Sequence, residues 1–231
     1  MKEKLVTSKK KASDKEIYQE IFDAILSFRL RPGTKLTEEN LSTIFNVGRN
    51  TIRSALLRLS QDHIIEIIPN KGAYIASPTV KQARDILEAR KLIEVAIVKD
   101  VIKHATTNDY NLLRQIVSAE QDNIIEEHMV EGIQLGGDFH LMLAKISKNQ
   151  SLERIVTTLI PQTSLVIVLY EQPDTPKCSH LEHFELIDIM EKGEYGAAAK
   201  MMYDHIHSIE ARLNLDEKET SNDLMHVFKQ R

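Results

Sequence analysis

Apolar residues recur at helical spacing along most of the chain, and the pattern turns to β character only once. A first stripe of Ile17, Ile21, Ala24, Ile25 and Phe28 follows Ser13-Asp14 and Glu16, which together read as a helix start. Pro32-Gly33 ends that helix. Thr37 then precedes Glu38 and Glu39, putting a capping hydroxyl and two acids where a helix N-terminus favours them. Leu41, Ile44 and Phe45 give this second helix one apolar face, which stops at Asn46-Val47-Gly48. Asn and Gly tolerate positive φ, so the chain turns sharply there, with Val47 plugging the angle between helices. A third helix begins near Arg49 and directs Ile52, Ala55, Leu56 and Leu59 inward. Two β-branched runs, Ile64 to Ile68 and Ala73 to Ala76, flank Pro69-Asn70-Lys71-Gly72 and predict a hairpin.

Ser77-Pro78 marks a boundary, because proline holds the residue before it extended. Beyond it only amphipathic helical runs appear: Val80 to His104, Asp109 to about Glu131, about Gln134 to Ile146, Ser151 to about Tyr170, about Ser179 to Glu191, and about Tyr195 to Leu215. Pro161 is expected to kink or break the fourth run, and Glu171 to Lys177, with Pro173 and Pro176, to form a loop. The expected fold is therefore mainly α: an N-terminal winged helix-turn-helix, then an all-α antiparallel helical bundle. The division predicted is a disordered basic tail (1–12), a winged helix-turn-helix domain (13–77), an all-α ligand-binding and dimerisation domain (78–215) and a charged C-terminal tail (216–231).

Charge sharpens this picture. The chain of 231 residues carries a formal net charge of −4, which by itself argues against a nucleic-acid partner. The charge is unevenly placed. Residues 1–78 hold 13 Lys and Arg against 9 Asp and Glu, while residues 79–231 hold 17 against 25. The positive end can attract phosphate while the acidic end is held away from it. The single cysteine, Cys178, has no internal disulfide partner, in keeping with a reducing cytosol. No run approaches the roughly 20 apolar residues of a membrane span, so a soluble, cytoplasmic protein with no membrane partner is expected.

Arg49, Asn50 and Arg53 lie on the outer face of the first turns of the third helix. That is the part of a recognition helix that meets base edges, where arginine suits the paired acceptors of guanine and asparagine the donor–acceptor pair of adenine. Arg58, further along, is expected to touch phosphate or an acid of its own domain, and Lys71 at the hairpin tip to reach a phosphate or the minor groove.

Residues 17–76 resemble the GntR-type winged-helix regulators. The first loop of that family appears as Leu30-Arg31-Pro32-Gly33-Thr34-Lys35-Leu36, its turn as Val47-Gly48-Arg49-Asn50-Thr51-Ile52-Arg53-Ser54-Ala55-Leu56, and its wing as Pro69-Asn70-Lys71-Gly72. The resemblance implies DNA contacts for Arg49, Arg53, Lys71 and Gly72; Thr37 and Asn50 complete the expected DNA-binding set. Gly48 stands where the family has a capping serine or threonine, and Thr51 where it has proline.

Residues 80–215 resemble the FCD ligand-binding domain of the FadR-like branch. The motifs are Arg90-Lys91-Leu92-Ile93-Glu94, Phe139-His140 followed by Asn149-Gln150-Ser151-Leu152, Glu182-His183, and His205 after Ala197 to Met202. Relatives often hold a divalent metal on one aspartate and three histidines, which implies His140, His183 and His205 as ligands. The usual aspartate position is Gly136, and Asp138 would point elsewhere on the helix. A three-histidine site could still take Zn²⁺ or Ni²⁺, completed by water or an effector carboxylate, or the histidines could donate hydrogen bonds to an effector directly. Cys178 and His180 lie just before His183, and a thiolate ligand is a further possibility. Arg90 either pairs with Glu94 one turn on or faces the pocket as a partner for an effector carboxylate.

The function these readings imply is a homodimeric transcription regulator, not an enzyme. It would bind a palindromic double-stranded operator under the control of a small organic acid held by Arg90, His140, His183 and His205. Two alternatives are a metal-dependent hydrolase fused to a DNA-binding domain, and an architectural DNA-binding protein indifferent to ligands.

Overall fold

The computed structural model describes residues 12–27, 29–171 and 179–216. The stripe residue Phe28, the prolines of the expected loop, Cys178, and nearly all of both expected tails lie outside them. In chain order the elements are α1 (Asp14–Leu26), β1 (Lys35–Leu36), α2 (Glu38–Phe45), α3 (Arg49–Gln61), β2 (Ile65–Ile68), β3 (Gly72–Ile75), α4 (Val80–His104), α5 (Thr107–Ile125), α6 (Met129–Ile146), α7 (Gln150–Tyr170), α8 (Ser179–Glu191) and α9 (Tyr195–Arg212).

Local chemistry sets most of the boundaries. Ser13, Thr79 and Thr106 close capping boxes with Glu16, Gln82 and Asp109, satisfying backbone donors that the first helical turn leaves open. Thr37 caps α2 through the Asn40 amide. Gly48 begins α3 with no side-chain cap, as its lack of a hydroxyl requires. Asn46 takes φ 52°, which makes the tight turn between α2 and α3. The sheet is antiparallel in the order β1-β3-β2, with Lys35 opposite Tyr74 and Ile67 opposite Ala73. Asn70 at φ 61° and Gly72 at φ 107° form the hairpin tip.

Several expectations are corrected. The second run of the helical region ends at Ile125, and the third starts at Met129, so Glu131 belongs to α6. Glu127 at φ 62° breaks the helix there. Ile44 is 71% exposed, because α2 lays only Leu41 and part of Phe45 on the core. The exposed Arg58 places its guanidinium over the Tyr18 ring, 5.1 Å from the centroid, and no ion pair to an acid is found for it among the described residues. Pro161 sits inside α7, which continues from Gln150 to Tyr170. Its missing N–H leaves the Thr157 carbonyl without a helical donor, and beside it the Gln162 side-chain amide donates to the Thr158 carbonyl at 2.8 Å.

Two hydrophobic cores form. Ile17, Ile21, Ile25, Ile52, Leu59, Ile64 and Ile75 build the N-terminal one, and α4 to α9 enclose the larger one. Leu165 of α7 is buried in the N-terminal core, with Ile133, Val168 and Leu169 against it. Gln134 of α6 donates to Asp23 of α1 at 2.5 Å, and Tyr170 to the Pro78 carbonyl at 2.6 Å. By length and composition α7 is apolar enough to cross a membrane. Here it is the wall shared by the two cores, which explains why it is apolar on more than one side.

Candidate metal centre and nucleic-acid interface

His140 comes from α6, His183 from α8 and His205 from α9, and all three are buried. Each imidazole presents Nδ1 to a carboxylate. His140 faces Glu94 at 2.5 Å, His183 faces Glu120 at 2.8 Å, and His205 faces Glu182 at 2.7 Å. A carboxylate only accepts, so the network assigns the ring proton to Nδ1 in each case and leaves the Nε2 lone pair bare. Those lone pairs converge: Nε2 of His205 lies 3.1 Å from that of His183 and 3.2 Å from that of His140.

Acceptors facing acceptors at this distance cannot hydrogen-bond to one another. Zinc bound tetrahedrally by imidazoles at 2.0–2.1 Å sets its nitrogens about 3.3 Å apart, which is close to the spacing found. The donor set, the tautomers and the supporting carboxylates therefore fit a divalent metal of the zinc or nickel kind.

The usual fourth ligand is not supplied by α6. A Cβ on Gly136 would lie 3.2 Å from Glu120 Oε1 and 3.9 Å from His183 Cε1, so the Glu120 carboxylate fills the space a longer side chain there would need. Asp138 is exposed and turned away. His180 is buried with Nδ1 lacking a hydrogen-bond partner, and is not part of the triad.

Burial pushes the His140 imidazole down to about 4 in spite of Glu94, and burial with the neighbouring imidazoles holds His205 well below the usual range. Burial alone would raise the Glu94 carboxyl, but Arg90 and His140 on its two oxygens outweigh that and hold it at about 2. The pH dependence follows. An unfolded histidine takes its proton near 6.5, whereas folded His140 resists until about 4. Between those values the unfolded chain binds more protons, so stability is lost as pH falls. His140 alone accounts for about 3 kcal/mol across that window. Urea midpoints in EDTA should therefore drop steeply between pH 6.5 and 4.5, and a flat profile would contradict neutral buried imidazoles.

Arg90 makes the ion pair with Glu94 and also lines the pocket. Its Nε donates to Glu94 Oε1 at 2.5 Å, and the side chain also lines the pocket, with Nη2 lacking a partner. The pocket is a cavity of about 70 Å³ beside the triad, lined by residues of α4 to α9 and by Glu171. Ile133 lines the cavity and also packs on the N-terminal core, so a single side chain touches both.

Glu120 and Arg212, neither of them predicted as site residues, are part of this pocket. Glu120 follows the inward stripe Leu113 and Val117 at helical spacing, and an acid at that register is a readable signal. Arg212 lies seven residues beyond His205, on the same face of α9.

The other expected residues form a separate surface. Arg49, Asn50 and Arg53 are exposed on α3, and Lys71 and Gly72 on the hairpin tip. Thr37 is half-buried and engaged as the α2 cap. Glu38 accepts from Arg53 Nε with both oxygens at 2.9 Å, which leaves the two terminal nitrogens of the guanidinium pointing outward from that pair.

Comparison with known proteins accounts for both halves of the chain. Residues 13–75 match the model of bacterial regulatory proteins of the gntR family, and residues 85–208 match the FCD domain. The HTH-type transcriptional repressor RspR of Escherichia coli is 23% identical over 210 residues, covering 90% of this chain and 92% of its own. The Nta operon transcriptional regulator of Aminobacter aminovorans is 25% identical over 181 residues, covering 78% and 85%. Among solved structures, a GntR regulator from a Rhodococcus species superposes with a TM-score of 0.73 at 19% identity, covering 86% of this chain and 95% of its own. McbR/YncC of E. coli superposes at 0.74 with 16% identity and the same coverage, a likeness of fold. These relatives are transcriptional regulators rather than enzymes, and the chain belongs to the GntR family of bacterial transcriptional regulators, in the branch that carries an FCD domain.

Proposed function

We propose that the protein is a cytoplasmic homodimer that binds a palindromic operator, and that a small carboxylate held beside a divalent metal in the helical half controls this binding. The observation that carries the reading is the convergence of the three Nε2 atoms, each imidazole fixed from behind by a carboxylate. His140, His183 and His205 would hold the metal, and Arg90 Nη2 would donate to the acid. When bound, the metal supplies an electrophilic position open to a carboxylate oxygen. Gly136 brings no competing side chain to that position.

Domains 13–77 and 78–215 would then act as reader and sensor. Arg49, Asn50 and Arg53 would meet bases in the major groove, and Lys71 and Gly72 the adjoining backbone or minor groove. Two-fold symmetry of the protein calls for a palindrome, with one half-site per subunit. The wall of α6 and α7 links pocket to reader: Ile133 faces the acid, while Leu165 and Gln134 hold α1 and its core. The acid shifts operator affinity only if it binds one placement of the reader better than the other.

The test is operator titration by zinc-loaded protein with and without a short-chain carboxylate such as valerate. A salt-matched change in affinity is expected, and identical curves would reject the sensor role. Arg53→Ala should weaken operator binding about ten- to a hundredfold and relax preference at one base position. Unchanged affinity and sequence preference on a mutated-operator panel would remove Arg53 from the reading face.

A further inference from the structure

We infer that the pocket is shaped for an α,ω-dicarboxylic acid with a methylene skeleton, one carboxylate seated at the triad and Arg90, the other on Arg212. The inference rests on the carboxylate reading above and adds a second anionic group to the ligand.

Two guanidinium N–H groups in this cavity have no hydrogen-bond partner, Arg90 Nη2 and Arg212 Nε. Guanidinium stays charged at all working pH values, and its donors call for acceptors, above all for planar carboxylates. Arg90 is 2% exposed, with Nε already given to Glu94. Arg212 enters the same cavity from the C-terminal end of α9. Its nearest acid is Glu171, whose Oε1 is 3.7 Å from Nε, too far for a hydrogen bond. Glu171 thus steadies the guanidinium from the side without satisfying that donor.

Arg212 is two helical turns beyond His205, about 10.5 Å along the α9 axis. Its side chain leans back toward the helix N-terminus, and so toward the triad. The Arg212 charge also helps to hold the His205 imidazole down, in keeping with that proximity. Metal–oxygen contact at the triad and guanidinium–carboxylate contact at Arg212 take up part of that rise, and a short methylene chain such as that of glutarate or adipate bridges the remainder.

The middle of the cavity selects the skeleton. Between the two cationic ends the walls are Ile124, Ile133, Ile160, Ile167 and Ile209. The hydroxyls of Thr163 and Ser164 direct their hydrogens to backbone carbonyls of their own helix. A polyol would lose hydration against these isoleucines, whereas a methylene chain gains by leaving water.

Isothermal titration of the full-length, zinc-loaded protein with glutarate, adipate, valerate and hexanoate tests this. Each diacid should bind about ten- to a hundredfold tighter than the monoacid of equal length, the increment of one charge-assisted contact. Arg212→Met should bring that ratio to about one, and Arg212→Lys should restore part of it in a variant that keeps the charge. Equal affinities of diacid and monoacid in the wild type would overturn the inference and leave the carboxylate reading standing. A diacid preference that survives in Arg212→Met would overturn the place given to Arg212. Absence of binding by all four acids would overturn both readings.

Discussion

Glu94→Ala is expected to be the most destabilising single substitution in the helical half, costing about 3–5 kcal/mol. Glu94 is 1% exposed and accepts from Arg90 Nε through one oxygen and from His140 Nδ1 through the other, each at 2.5 Å. Removing it strands a guanidinium that is 2% exposed and already has one unpartnered nitrogen. The loss exceeds the worth of the pair itself, because the remaining charge keeps its full desolvation cost. For a chain of this size the thermal midpoint should fall by about 10 °C. The double variant Arg90→Met with Glu94→Leu should recover most of the loss, since an apolar pair of similar volume replaces the ion pair without an orphan charge. Zinc affinity of Glu94→Ala should also fall about ten- to a hundredfold, as His140 loses the group that fixes its tautomer. Calorimetry on all three proteins decides the matter: a single variant as stable as wild type would mean that Arg90 finds another partner.

His205→Ala should abolish the effect of zinc on stability. His205 is the middle member of the triad, with Nε2 within 3.2 Å of both partners, and its removal leaves only the two other nitrogens. The loss in zinc affinity should exceed the roughly hundredfold upper range for losing a supporting partner, since here a ligand itself is lost. A ligand at a thousand times its dissociation constant stabilises the native state by about 4 kcal/mol. Wild-type protein should gain about that much from zinc in excess over EDTA-stripped samples, and the variant should gain almost nothing. Equal stabilisation of both proteins would place the metal elsewhere.

Helix α3 and the histidine pocket differ in how they could be read. Arg49, Asn50 and Arg53 are adjacent in sequence, and one helix with one apolar stripe is enough to put them together on its outer face. Nothing from the rest of the chain is needed. Ile44 shows the limit even there: its spacing suits the inward face, yet it is 71% exposed because no element packs on that side of α2. Pro161 shows the limit from the other side, since a residue that ordinarily interrupts a helix is carried within α7 by packing on both faces.

The triad comes from α6, α8 and α9, and its supporting acids from α4, α5 and α8. Periodicity can place each residue on an inward stripe, but it cannot say which stripes face one another. Family resemblance supplied the three histidines. It did not supply Glu120, which enters beside Gly136 from a different helix, or Arg212, which also lines the cavity.

The sequence by itself determined the order of helices and hairpin, the caps that start them, the charge asymmetry and the outward display of Arg49, Asn50 and Arg53. Each depends on neighbours a few positions away, where spacing and side-chain chemistry act directly. Only the tertiary structure decided that three imidazoles share one point, that carboxylates from separate helices hold their tautomers, and that α7 is a wall common to both cores. Those depend on residues far apart in the chain, 65 positions for His140 and His205 and 92 for Pro78 and Tyr170, brought together by burial of apolar surface, which is non-directional and leaves no local mark in the chain.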